Sequence, residues 1–217
     1  MNPTNICSLL DIPVHNFADP YNEIYMMQYR SQLAYAATGK QAAVLQLDPI
    51  SVAKESVYWF FAVADECKEL MDWFTPNNQL GYQPDNIDIE IQMESIDIIH
   101  FVFNLGLVLG ITADEISQME SEFVFTTVQP MLMTCKPLVD AVISDATSLI
   151  DLMPWKTWKT YPQISVPDLK NSVFSAYTNL FKSALAVCAG VHLDRLGLVN
   201  MFCAKNGENK NRQNNGY

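Results

Sequence analysis

Basic side chains are scarce in this chain: 13 Lys and Arg stand against 24 Asp and Glu, for a formal net charge of −11. A nucleic-acid groove needs clustered cations to displace phosphate counter-ions, so this balance argues against one. Paired cysteines are missing too. Cys7, Cys67, Cys135, Cys188 and Cys203 show no CxxC spacing. That speaks against a zinc site or disulfide framework and for reduced thiols in a cytoplasmic protein. Long apolar runs are absent as well. The longest, Ile98 to Ile111, is about 14 residues and contains His100 and Asn104, against the roughly 20 a bilayer requires. Asp11, Asp19 and Glu23 lie where an apolar leader core would be needed, so no secretory signal is expected. No stretch alternates with period two, so no sheet is expected. What the chain does have is apolar bulk, 49% of 217 residues, enough for one domain with a real core.

Against that apolar background two acid pairs stand out, Glu66 with Glu69 and Glu94 with Asp97, separated by residues 70–93. Each has the form acid-x-x-acid, and residues three apart share a helix face. The first pair sits in a run from Ala53 to Phe74 without Gly or Pro, ended by Pro76. The second lies among Ile, Met and Phe, with Glu90 and Asn104 at helical intervals from it. Carboxylates in apolar surroundings are costly unless paired, protonated or metal-bound. Two such helices side by side would turn four carboxylates into one pocket. A divalent cation neutralises such a group, and Mg²⁺ held this way commonly awaits a phosphate substrate. Read singly, Glu66 and Glu69 fit an ordinary acidic surface; the four together fit a site.

Helices are expected over about 22–37, 51–74, 87–109, 137–153, 168–189 and 193–206, with a loop at 75–86. Thr112 and Glu115 have capping-box spacing and restart a helix after Gly110. The fold class is therefore all-α, a helical bundle in one domain over 1–217. A faint internal repeat offset by 80 relates the segment from Gly110 to that from Gly190. An active copy over about 22–122 would then be followed by a degenerate one from 123, in which Phe174 and Tyr177 replace Glu94 and Asp97. Coincidence between two amphipathic hairpins explains the same residues. By composition the tail from Lys205 to Tyr217 fits a frayed end.

The acid pattern resembles that of the all-α nucleoside triphosphate pyrophosphohydrolases, whose members share Glu-x-x-Glu, a spacer, then Glu-x-x-Asp. The tail, Lys205-Asn206-Gly207-Glu208-Asn209-Lys210-Asn211-Arg212-Gln213-Asn214-Asn215-Gly216-Tyr217, is similar to the closing segment of the branch containing dimeric dUTPases and phage-type dCTP/dUTP pyrophosphatases. The resemblance covers roughly residues 22–116 and 145–217.

It implies that Glu66, Glu69, Glu94 and Asp97 hold Mg²⁺, two or more ions per site with Mn²⁺ as an alternative. One of the first-pair glutamates would orient the attacking water. Lys205, Asn209, Arg212 and Tyr217 match phosphate-binding tail positions, with Gly216 as a flexible point for closure. Gln28 and Gln32 match base readers on the first helix; by residue type alone they fit a solvated face. Trp59 matches a base- or sugar-packing Trp, although by residue type the core is its first reading. Asn104 matches an Asn common in the superfamily and equally fits a satisfied core amide. His100 receives no role. One departure concerns a Trp-Lys stretch that dimeric dUTPases carry soon after the first acid pair. Here Trp155-Lys156-Thr157-Trp158-Lys159 comes much later. The resemblance implies Mg-dependent hydrolysis of dUTP, dCTP or both by a homodimer, while cysteine usage, charge and hydropathy point to a cytoplasmic protein that binds neither nucleic acid nor membrane. The alternatives are another nucleoside triphosphate on the same fold, or an inactive helical regulatory protein.

Overall fold

In the computed structural model, residues 17–37, 48–74, 87–125, 132–156 and 158–214 are described. Every regular element among them is a helix. They are α1 (Pro20–Ala37), α2 (Pro49–Asp72), α3 (Ile87–Leu109), α4 (Ala113–Ser121), α5 (Leu132–Asp151), α6 (Val166–Gly190) and α7 (Arg195–Asn214). Gly216, Tyr217 and the expected loop at 75–86 lie outside the described residues, and so does the first stretch of the chain, 1–16.

Local chemistry sets most helix starts. Asp48 caps α2 by accepting from the Ile50 and Ser51 amides at 3.0 and 3.2 Å, and Pro49 opens the first turn. Thr112 and Glu115 form the expected reciprocal box at α4. Ser165 caps α6, and Asp194 accepts from the Gly197 amide at 2.7 Å where α7 begins. Gly110, at φ 73°, stops α3 in a conformation that costs a glycine little.

Two boundaries differ from the sequence expectation. Helix α5 begins at Leu132, with Pro137 inside it. A proline in the second turn removes one donor, while Cys135, two residues earlier, is buried with its Sγ 3.8 Å from the Gly190 carbonyl. Packing outweighs the lost bond. Helix α7 continues to Asn214 rather than ending near 206. Lys205 and Asn206 are tied to α3 and α1, and Glu208 pairs with Arg212 one turn on. Those contacts hold as helix a segment whose composition alone reads as frayed.

Helices α2, α3, α5 and α6 form a four-helix bundle, each packed on at least two of the others. Helix α3 is its most enclosed member and also touches α1 and α7. It is long and apolar enough to cross a membrane by composition, yet 72% of that window is buried among the other helices. The shared core includes Leu70, Ile96, Ile99, Phe103, Tyr177, Phe181 and Phe202. At Gly106 the bundle closes tightly: a Cβ there would lie 2.3 Å from the Tyr177 hydroxyl. The free end of this arrangement is a cleft where α1, α2, α3 and α7 converge.

Candidate metal and nucleotide site

On α2, Val63, Cys67 and Leu70 are buried. Their spacing turns Glu66 sideways toward α3 and leaves Glu69 exposed. On α3, Glu94 and Asp97 face back. One oxygen each from Glu66, Glu94 and Asp97 lies within 4.8 Å of the others. An ion with oxygens at about 2.1 Å accepts ligand oxygens up to about 4.2 Å apart, close to this bound. The donor set therefore fits a hard divalent cation. Glu69 is outside the three-oxygen group, but its charge reaches Glu66 and Glu94.

The electrostatics say the same. Burial, then Asp97, Glu69 and Glu94, push the Glu66 carboxyl up to about 8, against relief from Lys205. Burial raises Glu94 despite the hydrogen bond that Trp73 Nε1 donates to its Oε1 at 3.3 Å. Burial likewise raises Asp97, although Lys205 Nζ lies 2.6 Å from its Oδ2. Three neighbouring carboxyls whose pKa values are all raised are short of positive charge.

Beside the cluster opens a pocket of about 480 Å³. Of the residues singled out in the sequence, it gathers Gln28, Gln32, Trp59, Glu66, Asp97, Asn104, Lys205, Asn209 and Arg212. Gln28 and Gln32 are buried, at 5% and 4% exposure, which overturns the reading of a solvated face. Neighbouring α7 covers that side of α1. Trp59 and Asn104 are at once core and wall. Trp59 stacks against Phe101 with ring centroids 5.8 Å apart, and its buried Nε1 has no partner among the described residues.

The structure adds residues to which the sequence gave no role. His100 lines the pocket, its ring stacked on Phe202 at 4.0 Å and Nδ1 3.0 Å from the Ile96 carbonyl. Burial pushes its pKa down to about 3, so it is neutral, and Nε2 has no partner among the described residues. Its spacing, three residues after Asp97 and four before Asn104, was the available signal. Ser31, Tyr35, Tyr58, Phe101 and Asn206 also line the cleft. Lys156 is held by Asp151 at 3.0 Å and does not line it.

An all-α bundle with clustered acids beside an amide-walled cleft agrees with the resemblance noted in the sequence. Comparison narrows this further. A sequence model described as dUTPase matches residues 53–217, and the chain belongs to that family, the all-α dimeric dUTPases. No curated protein and no solved structure matches the chain.

Proposed function

We propose that the chain hydrolyses dUTP to dUMP and pyrophosphate, with dCTP as the competing substrate. The observation that carries this reading is the clustering of Glu66, Glu94 and Asp97, with Glu66 and Asp97 lining a pocket whose other walls are amide, aromatic and basic. Family membership supports the same activity.

Glu66, Glu94 and Asp97, with Glu69 at the solvent edge, would hold Mg²⁺ or Mn²⁺. Bound there, the metal neutralises developing phosphate charge and acidifies water. Glu66 or Glu69 takes the proton of the attacking water. The water oxygen bonds to phosphorus, a bridging P–O bond breaks, and pyrophosphate leaves. Lys205, Asn209 and Arg212 project from α7 toward the phosphate chain, Arg212 offering paired donors. Trp59 and Phe101 enclose base or sugar, and Gln28, Gln32, Asn104 and neutral His100 meet its polar edge. Tyr217 joins the phosphate contacts in this reading.

The proposal includes a homodimer. Phe61 is 64% exposed and Tyr58 52%, together on α2 beside the cleft, a surface that supports self-association. The test is product analysis over a panel of deoxynucleoside triphosphates. The reading requires dUMP and pyrophosphate from dUTP; release of orthophosphate, or turnover of purines alone, rejects it. An inactive regulatory protein would turn over none.

A further inference from the structure

Three side-chain amides stand in series along one wall of the pocket. The Ser31 hydroxyl donates to Asn206 Oδ1 at 3.2 Å. Asn206 Nδ2 donates to Gln28 Oε1 at 3.5 Å, and Gln28 Nε2 donates to Asn104 Oδ1 at 2.7 Å. All three amide residues are buried, at 8%, 5% and 2% exposure. Each amide has one accepting end and one donating end. In series, therefore, none can turn over alone without setting two donors or two acceptors face to face, a costly arrangement where water is excluded. The relay has two registers, and one end decides between them.

In the observed register Asn104 accepts from Gln28, so its NH₂ is the end left for the pocket it lines. An NH₂ meets a carbonyl oxygen and opposes an amino group. Uracil carries a carbonyl where cytosine carries an amine. We propose that Asn206 is a positioning residue for base choice: through Gln28 it fixes the Asn104 amide in the register that accepts dUTP and disfavours dCTP. This rests on the function proposed above. Asn206 sits next to Lys205, which pairs with Asp97 at 2.6 Å. A single turn of α7 thus sets both the base-reading register and the cation at the acid cluster.

Substitution can reverse the register without emptying the wall. In Asn206→Asp both oxygens accept, so Gln28 Nε2 turns toward position 206, Gln28 Oε1 turns toward Asn104, and Asn104 Oδ1 faces the base. Gln28→Glu turns Asn104 in the same way and leaves Asn206 in place. Asn206→Leu removes the setting group without adding charge. The measurement is kcat/KM for dUTP and for dCTP in each folded variant, with a CD melt to establish folding.

Wild type is expected to favour dUTP at least tenfold. Asn206→Asp and Gln28→Glu are expected to lower the dUTP-to-dCTP ratio at least tenfold, and Asn206→Leu to bring it toward one. Equal losses on both substrates with an unchanged ratio would make Asn206 merely structural and overturn the proposal. So would a wild type that favours dCTP. If Asn206→Asp does not fold, Asn206→Leu decides by the same ratio. Wild type inert on both nucleotides would instead overturn the underlying function.

Discussion

Lys205 Nζ lies 2.6 Å from Asp97 Oδ2, joining the C-terminal helix to the acid cluster. Both side chains are largely buried, at 14% and 15% exposure. Lys205 is thus the cation nearest three carboxylates that repel one another, and burial would lower its own pKa but for Asp97, which raises it.

Replacing that lysine should therefore be costly. Removing one partner of a buried pair destabilises by about 3–5 kcal/mol, and protonation of Asp97 offsets part of this. Lys205→Met should melt several degrees below wild type in EDTA and regain most of the difference in Mg²⁺. A thermal melt in both buffers checks this; equal losses in each would mean the lysine does not compensate the cluster.

The carboxylates also set a pH dependence. Glu66 titrates near 8 in the folded chain against an ordinary 4.5. Its folded pKa is raised, so its contribution to stability is complete below about pH 4.5 and is lost as pH rises through 8. His100 works in the opposite sense. Its pKa is lowered to about 3, so its contribution is complete above about pH 6.5 and is lost as pH falls toward 3. From pH 6.5 to 8.5 in EDTA the melting temperature should fall. Saturating Mg²⁺ should flatten that slope, and Glu66→Gln should flatten it without metal.

The proposed phosphate contacts are expected to show in KM. Arg212 lines the pocket while paired with Glu208, half exposed. A charge-assisted hydrogen bond is worth about 1.5–3 kcal/mol, roughly tenfold to a hundredfold in affinity. Arg212→Ala should raise KM for dUTP by that factor and leave the helical CD signal intact. Steady-state kinetics showing unchanged KM would remove Arg212 from the site.

Gly106 offers a test of the fold apart from chemistry. Its missing Cβ makes room for the Tyr177 hydroxyl, which donates to the Val102 carbonyl at 3.1 Å, and for Tyr25, whose hydroxyl donates to Ile111 at 2.9 Å. Gly106→Ala should destabilise by about 1–3 kcal/mol through overpacking, read as a lower urea midpoint. A neutral result would mean that α1, α3 and α6 approach one another less closely.

The features legible in sequence were those fixed by local chemistry. Gly110 and the Thr112–Glu115 box delimit α3 and α4, and both helices lie where the spacing placed them. Acid spacing likewise brought Glu66, Glu94 and Asp97 together. What was not legible depends on neighbours distant in sequence. Gln28 and Gln32 read as solvated until α7 covers them. Pro137 reads as a start until Cys135 is seen packed at Gly190. The tail reads as frayed until Lys205 and Asn206 find partners 108 and 178 residues away, at Asp97 and Gln28. Glu69 shows the limit of spacing alone: it shares a face with Glu66, yet core packing of Cys67 and Leu70 turns it to solvent.

The most direct measurement is pyrophosphate release from dUTP by wild type and by Asp97→Asn, each with Mg²⁺ and with EDTA. Wild type should turn over only with the ion. Asp97→Asn, folded by CD, should lose activity by at least about a hundredfold. Release by wild type in EDTA at the Mg²⁺ rate, or undiminished release by the folded Asp97→Asn protein, would contradict an acid cluster that works by holding a divalent cation.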